Sequence, residues 1–381
     1  MSDEKARFID KSGRQTPDKQ IHGDHSMDLW DPVVIRKGEI GAEIERLAAL
    51  PRPNNGVRRS FITHPKADDK SHGLAAGIDV SVDVLMPGER TKPMRQNSSL
   101  INFCLEGTGS IIMNGEKFDF DQFDVLTTPS MCVYEYINDS DEIQVRLCYS
   151  NGALLERMNI HWVDEDPPVP GADSGEAEAE ADAEAETEER PKSPYGTFQL
   201  TDDGAWMKPY EELINPESIE IKPHHWPWKQ VKAELDKLES LGSKYKGRRL
   251  YLLYDPITGR TNGTTQNFFV CMTIRPGGIV DRPHRHSSAA INYYFGGKGH
   301  SVVQGKRVDW EAGDLMLSAP GWAIHNHASD EGPVYEITIQ DMPLLINMDG
   351  LMWQEDLKGG IALLGSQAGF ETNRSEVAAA E

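Results

Sequence analysis

The sequence predicts an all-β protein with a few helices, built from one strand-rich unit used twice. The first observation is a repeat: PGERTKPMRQNSSLINFCLEGTGSIIMNGEKFDFDQFDVLTTPS resembles PGGIVDRPHRHSSAAINYYFGGKGHSVVQGKRVDWEAGDLMLSAPG. Counted from Gly88 and Gly278, the offset is 190 residues and holds without a gap for about 35 residues. Ile101 and Asn102 match Ile291 and Asn292; Gly107, Gly109 and Gly115 match Gly297, Gly299 and Gly305; Asp124 matches Asp314. The second observation is local. Short apolar runs (LINFCL and SIIM in one copy, INYYF and HSVV in the other) are cut by glycine-containing turns, as in short antiparallel strands that close into a barrel or sandwich. The third is composition: 34 glycines and 23 prolines among 381 residues suit a turn-rich β protein rather than a helical bundle.

In chain order, residues 1–60 read as an N-terminal arm and a helix. The opening MSDEKARFIDKSGRQ is polar, so no secretory signal is expected there. GEIGAEIERLAAL places Ile40, Ile44 and Leu47 on one helical face, and Pro51 ends it. Residues 61–163 form the first barrel. Residues 164–192 form a linker: 164–191 contain 12 acidic residues and one arginine, with Val169 the one aliphatic side chain larger than alanine. Such a segment buries too little apolar surface to offset the entropy of ordering it, so it is expected to be disordered or loosely helical. Residues 193–245 connect onward, and WPWKQVKAELDKLESLGS places Val231, Leu235, Leu238 and Leu241 on one helical face, with Pro227 near its start. Residues 246–345 form the second barrel and 346–381 a C-terminal tail.

The net charge of −22 comes about half from the linker, and it argues against a nucleic-acid groove or an anionic membrane surface. No apolar run approaches the length of a membrane span. Cys104, Cys132, Cys148 and Cys271 are widely spaced with no CxxC, so disulfides are not implied and a reducing, cytoplasmic setting is expected.

The chemistry concentrates in PHRHSS and PGWAIHNHAS. On a strand, residues i and i+2 share a face, so His284 and His286 point one way and Arg285 the other; His325 and His327 share a face in the same manner. A lone buried histidine is usually a hydrogen-bonded core residue. Two HxH pairs on strands of one small barrel can converge, and neutral imidazoles converging in an apolar pocket suit a first-row metal.

These residues resemble the cupin superfamily. Its first motif, a glycine, five residues, then HxH and a later glycine, is met by Gly278, His284, His286 and Gly297. Ala290 stands where the motif usually has glutamate. Its second motif, a histidine five residues after a proline, is met by Pro320 and His325. The resemblance implies a bicupin of two double-stranded β-helix (jelly-roll) barrels, with a three-histidine metal site of His284, His286 and His325. In the first barrel Met94, Gln96 and Tyr134 occupy the corresponding positions, so that barrel is expected to be metal-free.

Within the superfamily the chain is similar to gentisate 1,2-dioxygenase and its salicylate and hydroxynaphthoate relatives, over roughly residues 225–355. The HRH-S box, the P-x-W-x-x-H-x-H box, the preceding tryptophan-rich helix and ITIQDMPLLINMDGLMW all have counterparts. Two positions depart from that family: the metal ligands lie in the second barrel rather than the first, and Asn292 stands where an arginine usually holds the substrate carboxylate. Arg248 and Arg249 match another arginine pair of the family and are candidates for that role; the alternative is a solvated pair at a strand end.

The resemblance implies a non-haem iron(II) dioxygenase, with manganese(II) a second candidate, acting on a hydroxylated aromatic acid and O2. Zinc suits three histidines but supplies no redox chemistry. His327 is the candidate acid/base, with orientation of a ligand as its alternative role. Trp322 is expected in the pocket wall, and His300, after a glycine turn, at the surface. A chelating enol or diketone is the alternative substrate, and a non-catalytic small-molecule-binding bicupin the alternative class. A homo-oligomer is expected, with no nucleic-acid or membrane partner. Deleting residues 170–190 is expected to leave melting temperature and turnover nearly unchanged; a large fall in melting temperature by calorimetry would show that the segment is structural.

Overall fold

The computed structural model describes residues 29–68, 70–169, 196–214, 216, 218–238, 247–367 and 369. The linker from 170 to 192 and Leu241 lie outside these residues; the first residues of the expected linker are ordered instead, since Asp164 and Glu165 belong to the strand Val163–Glu165, which pairs with Met94–Gln96, and Asp166 pairs with Lys92. Strands dominate, and each repeat forms two facing sheets, as the duplicated pattern of short runs predicts. The fold is the all-β bicupin.

In the first repeat one sheet runs in the order His225–Trp226, Val125–Thr128, Leu100–Glu106, Gln144–Ser150, Asp79–Leu85, Arg58–Phe61. Facing it are Val163–Glu165, Met94–Gln96, Tyr134–Ile137, Gly109–Met113 and Glu116–Phe120. The second repeat copies this. One sheet runs Val33–Ile35, Leu315–Pro320, Ala289–Gly296, Val334–Gln340, Phe269–Arg275, Arg249–Leu252. Lys306–Glu311, Lys298–Val303 and His325–Ser329 form the facing sheet, and Arg285–His286 pairs with Met352–Gln354 beside it. The glycine turns repeat as well. Gly107 and Gly297 both have φ near +77° (76° and 78°), and a Cβ there would meet the carbonyl oxygens of Ile143 and Pro333 at 2.1 and 2.4 Å. Glycine is therefore required at both for the strand to leave the sheet.

The helix Lys37–Ala48 buries Ile40 and Leu47, with Ile44 half-buried, as its spacing predicts. Trp228–Lys237 buries Leu235 on the face that also carries Val231. All four cysteines are free and buried. No helix among the described residues is long and apolar enough to cross a membrane.

The two halves are not simple consecutive segments. One compact unit joins the arm up to Lys37 with Lys237–Leu252 and everything from Phe268 onward; the other joins Gly38–Asp236 with Leu253–Asn267. The arm read from sequence as a separate 1–60 segment gives its first strand to the second barrel, where Val33, Val34 and Ile35 oppose Leu317, Met316 and Leu315. The connecting segment gives His225–Trp226 to the first barrel, opposite Leu126 and Val125. His225 Nε2 and the Trp228 N–H hold Asp124 at 2.8 and 2.7 Å. In the second barrel Arg36 and the Lys37 N–H hold Asp314, the matching residue, at 2.9 and 2.8 Å. The repeated aspartate is thus the latch for an added edge strand, which covers open backbone groups of the sheet.

One buried carboxyl makes stability depend on pH. Asp79 Oδ2 accepts the Ala153 N–H at 2.9 Å at the start of the helix Gly152–Arg157. Burial pushes its pKa up to about 7. Above pH ~4 the unfolded chain releases a proton that the folded chain keeps, so stability is lost as pH rises through 7. Asp79→Asn still accepts the bond and does not ionise. It is expected to gain about 2–4 kcal/mol over the parent at pH 8 and little at pH 4. Urea denaturation at both values checks this; a gain independent of pH would exclude the mechanism.

Candidate metal centre

The ligand geometry follows from strand alternation. His284 and His286 lie on one short extended segment, and the backbones of His284 and His325 bridge each other across the barrel mouth, with N–H to O distances of 3.1 and 2.9 Å. Their rings meet: centroids lie 4.5 Å apart for His284 and His325, 4.7 Å for His286 and His325, and 5.7 Å for His284 and His286. The ligand atoms of the three all lie within 4.8 Å of one another, and all three residues are buried.

Each ring is locked by its other nitrogen. His284 Nδ1 lies 3.0 Å from the Arg282 carbonyl, His286 Nδ1 3.0 Å from the Ser288 carbonyl, and His325 Nδ1 2.9 Å from the Ala323 carbonyl. A carbonyl oxygen accepts and cannot donate, so each Nδ1 carries the hydrogen and each Nε2 keeps its lone pair. Ser288 Oγ donates to Gln340 Oε1 at 3.0 Å and so accepts from His286 as well, at 2.9 Å. Burial, neighbouring imidazoles and the Arg248 cation hold His286 well below the usual histidine pKa; burial and His284 bring His325 to about 3. Neutral imidazoles with free, converging lone pairs are what a divalent ion of the first transition row requires. The donor set therefore fits the expected metal, and the three histidines make a three-histidine metal-binding site.

The remaining sequence candidates are spread around this site. His327 is buried, its ring 5.6 Å from that of His325. Its Nδ1 lies 2.7 Å from Ser301 Oγ, which accepts from Trp310 Nε1 at 2.9 Å. Burial and the Arg275 cation hold His327 well below the usual histidine range. Arg248 and Arg249 are separated by the pleat. Arg249 opposes Ile274, while Leu250 opposes Thr273 on the interior side. Arg248 Nε lies 3.5 Å from Asp281 Oδ2, and its charge acts on His286, His325 and His327. Burial would raise Asp281; Arg248 and Arg275 outweigh it and hold the carboxylate below its usual range.

Asn292 is fully engaged, donating to Thr338 Oγ1 at 2.8 Å and accepting from Ser318 Oγ at 2.6 Å. It forms a fixed polar wall of the interior. Trp322 is buried against Arg285, whose guanidinium carbon lies 4.6 Å from its ring, so it packs on the residue opposite in face to His284 and His286. His300, expected at the surface, is half-buried with its Nδ1 4.0 Å from Asp330. Trp353 was not singled out from sequence, although it ends the matched segment ITIQDMPLLINMDGLMW. It opposes His286 on the paired strand and stacks on His286 and His284 at 4.8 and 5.6 Å.

In the first barrel Met94 bridges Tyr134, the same pairing that His284 makes with His325. Tyr134 Oη donates to Gln96 Oε1 at 3.1 Å, and Gln96 donates to Ser98 at 2.5 Å. Burial pushes the Tyr134 phenol far up, so it stays protonated. Gln96 and Tyr134 there are hydrogen-bonded to each other, and Met94 belongs to the apolar core.

Duplicated jelly-roll barrels with three histidines in the second give the chain the bicupin fold, and its sequence is similar to those of ring-cleaving dioxygenases. No family model matches it. A 1-hydroxy-2-naphthoate 1,2-dioxygenase of Nocardioides sp. (strain KP7) is 26% identical over 317 residues, 82% of this chain and 75% of the relative. A 5-aminosalicylate 1,2-dioxygenase of Comamonas sp. is 23% identical over 327 residues, 82% and 79% of the two chains. Salicylate 1,2-dioxygenase from Pseudoaminobacter salicylatoxidans, solved as adducts with gentisate, shares the fold with a TM-score of 0.70 at 14% identity, over 89% of each chain.

His284→Ala, His286→Ala and His325→Ala are each expected to empty the metal site, while Met94→Ala and Gln96→Ala leave it filled. Elemental analysis of the five variants checks this, and two ions per wild-type chain would contradict it.

Proposed function

We propose that this chain is a non-haem iron(II) dioxygenase that opens the ring of a hydroxylated aromatic acid of the gentisate or salicylate kind. The observation that carries the reading is the set of three converging imidazoles, each held through Nδ1 by a backbone carbonyl, beside the Arg248 cation. The names of the relatives at 23–26% identity point the same way. Three neutral ligands leave a divalent ion its full charge and open positions for a chelating substrate; manganese would accept the same donors. When bound, iron(II) supplies a redox-active Lewis acid at which substrate and dioxygen meet.

The protein groups have separate tasks. His284, His286 and His325 hold the ion. Arg248, aligned by Asp281, holds the substrate carboxylate in place of the arginine missing at Asn292. Trp353 offers an aromatic face next to the ligands, and Asn292 with Thr338 and Ser318 walls the interior. His327, neutral at physiological pH and tied through Nδ1 to Ser301, leaves Nε2 to take a proton from a substrate hydroxyl and return it to product.

The direct test is oxygen uptake by iron-loaded protein on gentisate, salicylate, 5-aminosalicylate and 1-hydroxy-2-naphthoate, with manganese-loaded protein alongside; no uptake on any would sink the reading. Arg248→Gln is expected to raise KM for the acid about 10–150-fold, the worth of a charge-assisted contact of roughly 1.5–3 kcal/mol, while Arg249→Gln stays near wild type. Unchanged kinetics in both would favour an enol or diketone without a carboxylate. His327→Ala is expected to keep iron and substrate binding and lose turnover about 10²–10⁴-fold. Loss of iron in that variant would make His327 a ligand, and full activity would remove it from the chemistry.

A further inference from the structure

The interior of the first barrel carries an unbalanced charge. Arg59 grips Asp83 with both arms, Nε to Oδ1 at 2.8 Å and Nη2 to Oδ2 at 2.6 Å, and Ser81 donates to the same carboxylate at 2.8 Å. Arg146 is 2% exposed and comes no closer to Asp83 than 3.7 Å. It donates to Gln144 Oε1 and lies 3.5 Å over the Tyr136 ring, yet among the described residues its buried Nε has no hydrogen-bond partner. Two guanidinium groups therefore share one carboxylate that is already satisfied.

Nearby groups do not restore the balance. Arg58 is matched by Glu89 at 2.5 Å. The Cys148 thiol and Tyr134 phenol are buried and protonated at neutral pH. Asp79 acts on Arg59 and is committed to the Ala153 N–H, but burial keeps it largely protonated below pH 7 and Arg146 is not among the charges that act on it. In the second barrel the buried Nε of Arg275 likewise has no hydrogen-bond partner among the described residues, but the charge is matched: Arg275 is met by Glu336 at 3.1 Å and by Asp281, which also faces Arg248. An uncompensated buried guanidinium is costly, and the cost is removed by a counter-ion.

A small cavity lies at this point, lined among others by Arg59, Thr91, Tyr134, Tyr136 and Arg146, with room for a single small ion or water. Its dimensions exclude an organic carboxylate or phosphate. We propose that the first barrel binds a single monovalent anion of chloride or bromide size beside Arg146 Nε. Arg59, with 19% of its side chain accessible, marks the side from which the ion enters. The barrel that carries no histidine triad would thus be an anion site, where its sister is a cation site.

The test compares melting of the metal-loaded full chain in chloride, bromide and gluconate at matched ionic strength. Chloride and bromide are expected to raise the melting temperature by about 2–5 °C in a saturable manner, as a ligand of the folded state does, and gluconate is not. Arg146→Leu, which leaves the Arg59–Asp83 pair balanced, is expected to lose the chloride dependence, and Arg146→Lys to retain it in part. Equal curves in all three salts overturn the proposal. Should Arg146→Leu not fold, crystals of the wild type soaked in bromide decide: an anomalous peak beside Arg146 supports the site, and its absence from a crystal that shows other bromide peaks refutes it.

Discussion

Three backbone carbonyls, those of Arg282, Ser288 and Ala323, determine what the second barrel can do. Buried imidazoles are ambiguous groups, able to donate or accept at either nitrogen. By taking the Nδ1 hydrogen of His284, His286 and His325, the carbonyls turn all three rings so that lone pairs converge. Each carbonyl belongs to a residue two positions from its histidine, so the lock is local. The barrel needs only to bring His284–His286 beside His325, which the backbone bridge does.

The same scaffold serves opposite ends in its two copies. Where the second barrel collects imidazoles, the first collects an apolar methionine beside a protonated phenol that donates to a glutamine. Position 85 is leucine and its counterpart 275 arginine; position 146 is arginine and its counterpart 336 glutamate. Charge has therefore been redistributed inside each barrel while the strand register stayed fixed. The sheets hold shape, and the interior side chains set chemistry.

The fold was legible because its signals are local and duplicated: glycine turns, alternating strands and a constant offset. The metal ligands were legible because the HxH spacing puts two rings on one face and the proline spacing adds the third. Other features depend on long-range pairing. Nothing within Val33–Ile35 names Leu315–Leu317 as its partner, and three residues carry too little pattern to do so. Trp353 reaches the ligands because its strand pairs with Arg285–His286, some 68 residues earlier. Adjacent arginines at 248 and 249 look equivalent until the opposing strand shows which one shares the interior face. Trp322 reads as pocket wall beside His325, but the stacking of Arg285 takes it.

The interleaving of edge strands has a consequence for how the chain is born. During synthesis Val33–Ile35 leaves the ribosome early, yet its partner strand follows roughly 280 residues later, a wait of tens of seconds at ordinary elongation rates. The sheet of the first barrel can be completed in the meantime, once His225–Trp226 has emerged. The earliest strand made is among the last to pair, so the growing protein carries an open β segment through most of its own assembly. A gene cut between the repeats would yield two fragments that each lack an edge, and the duplication, though readable as two copies, can no longer be undone by separating them.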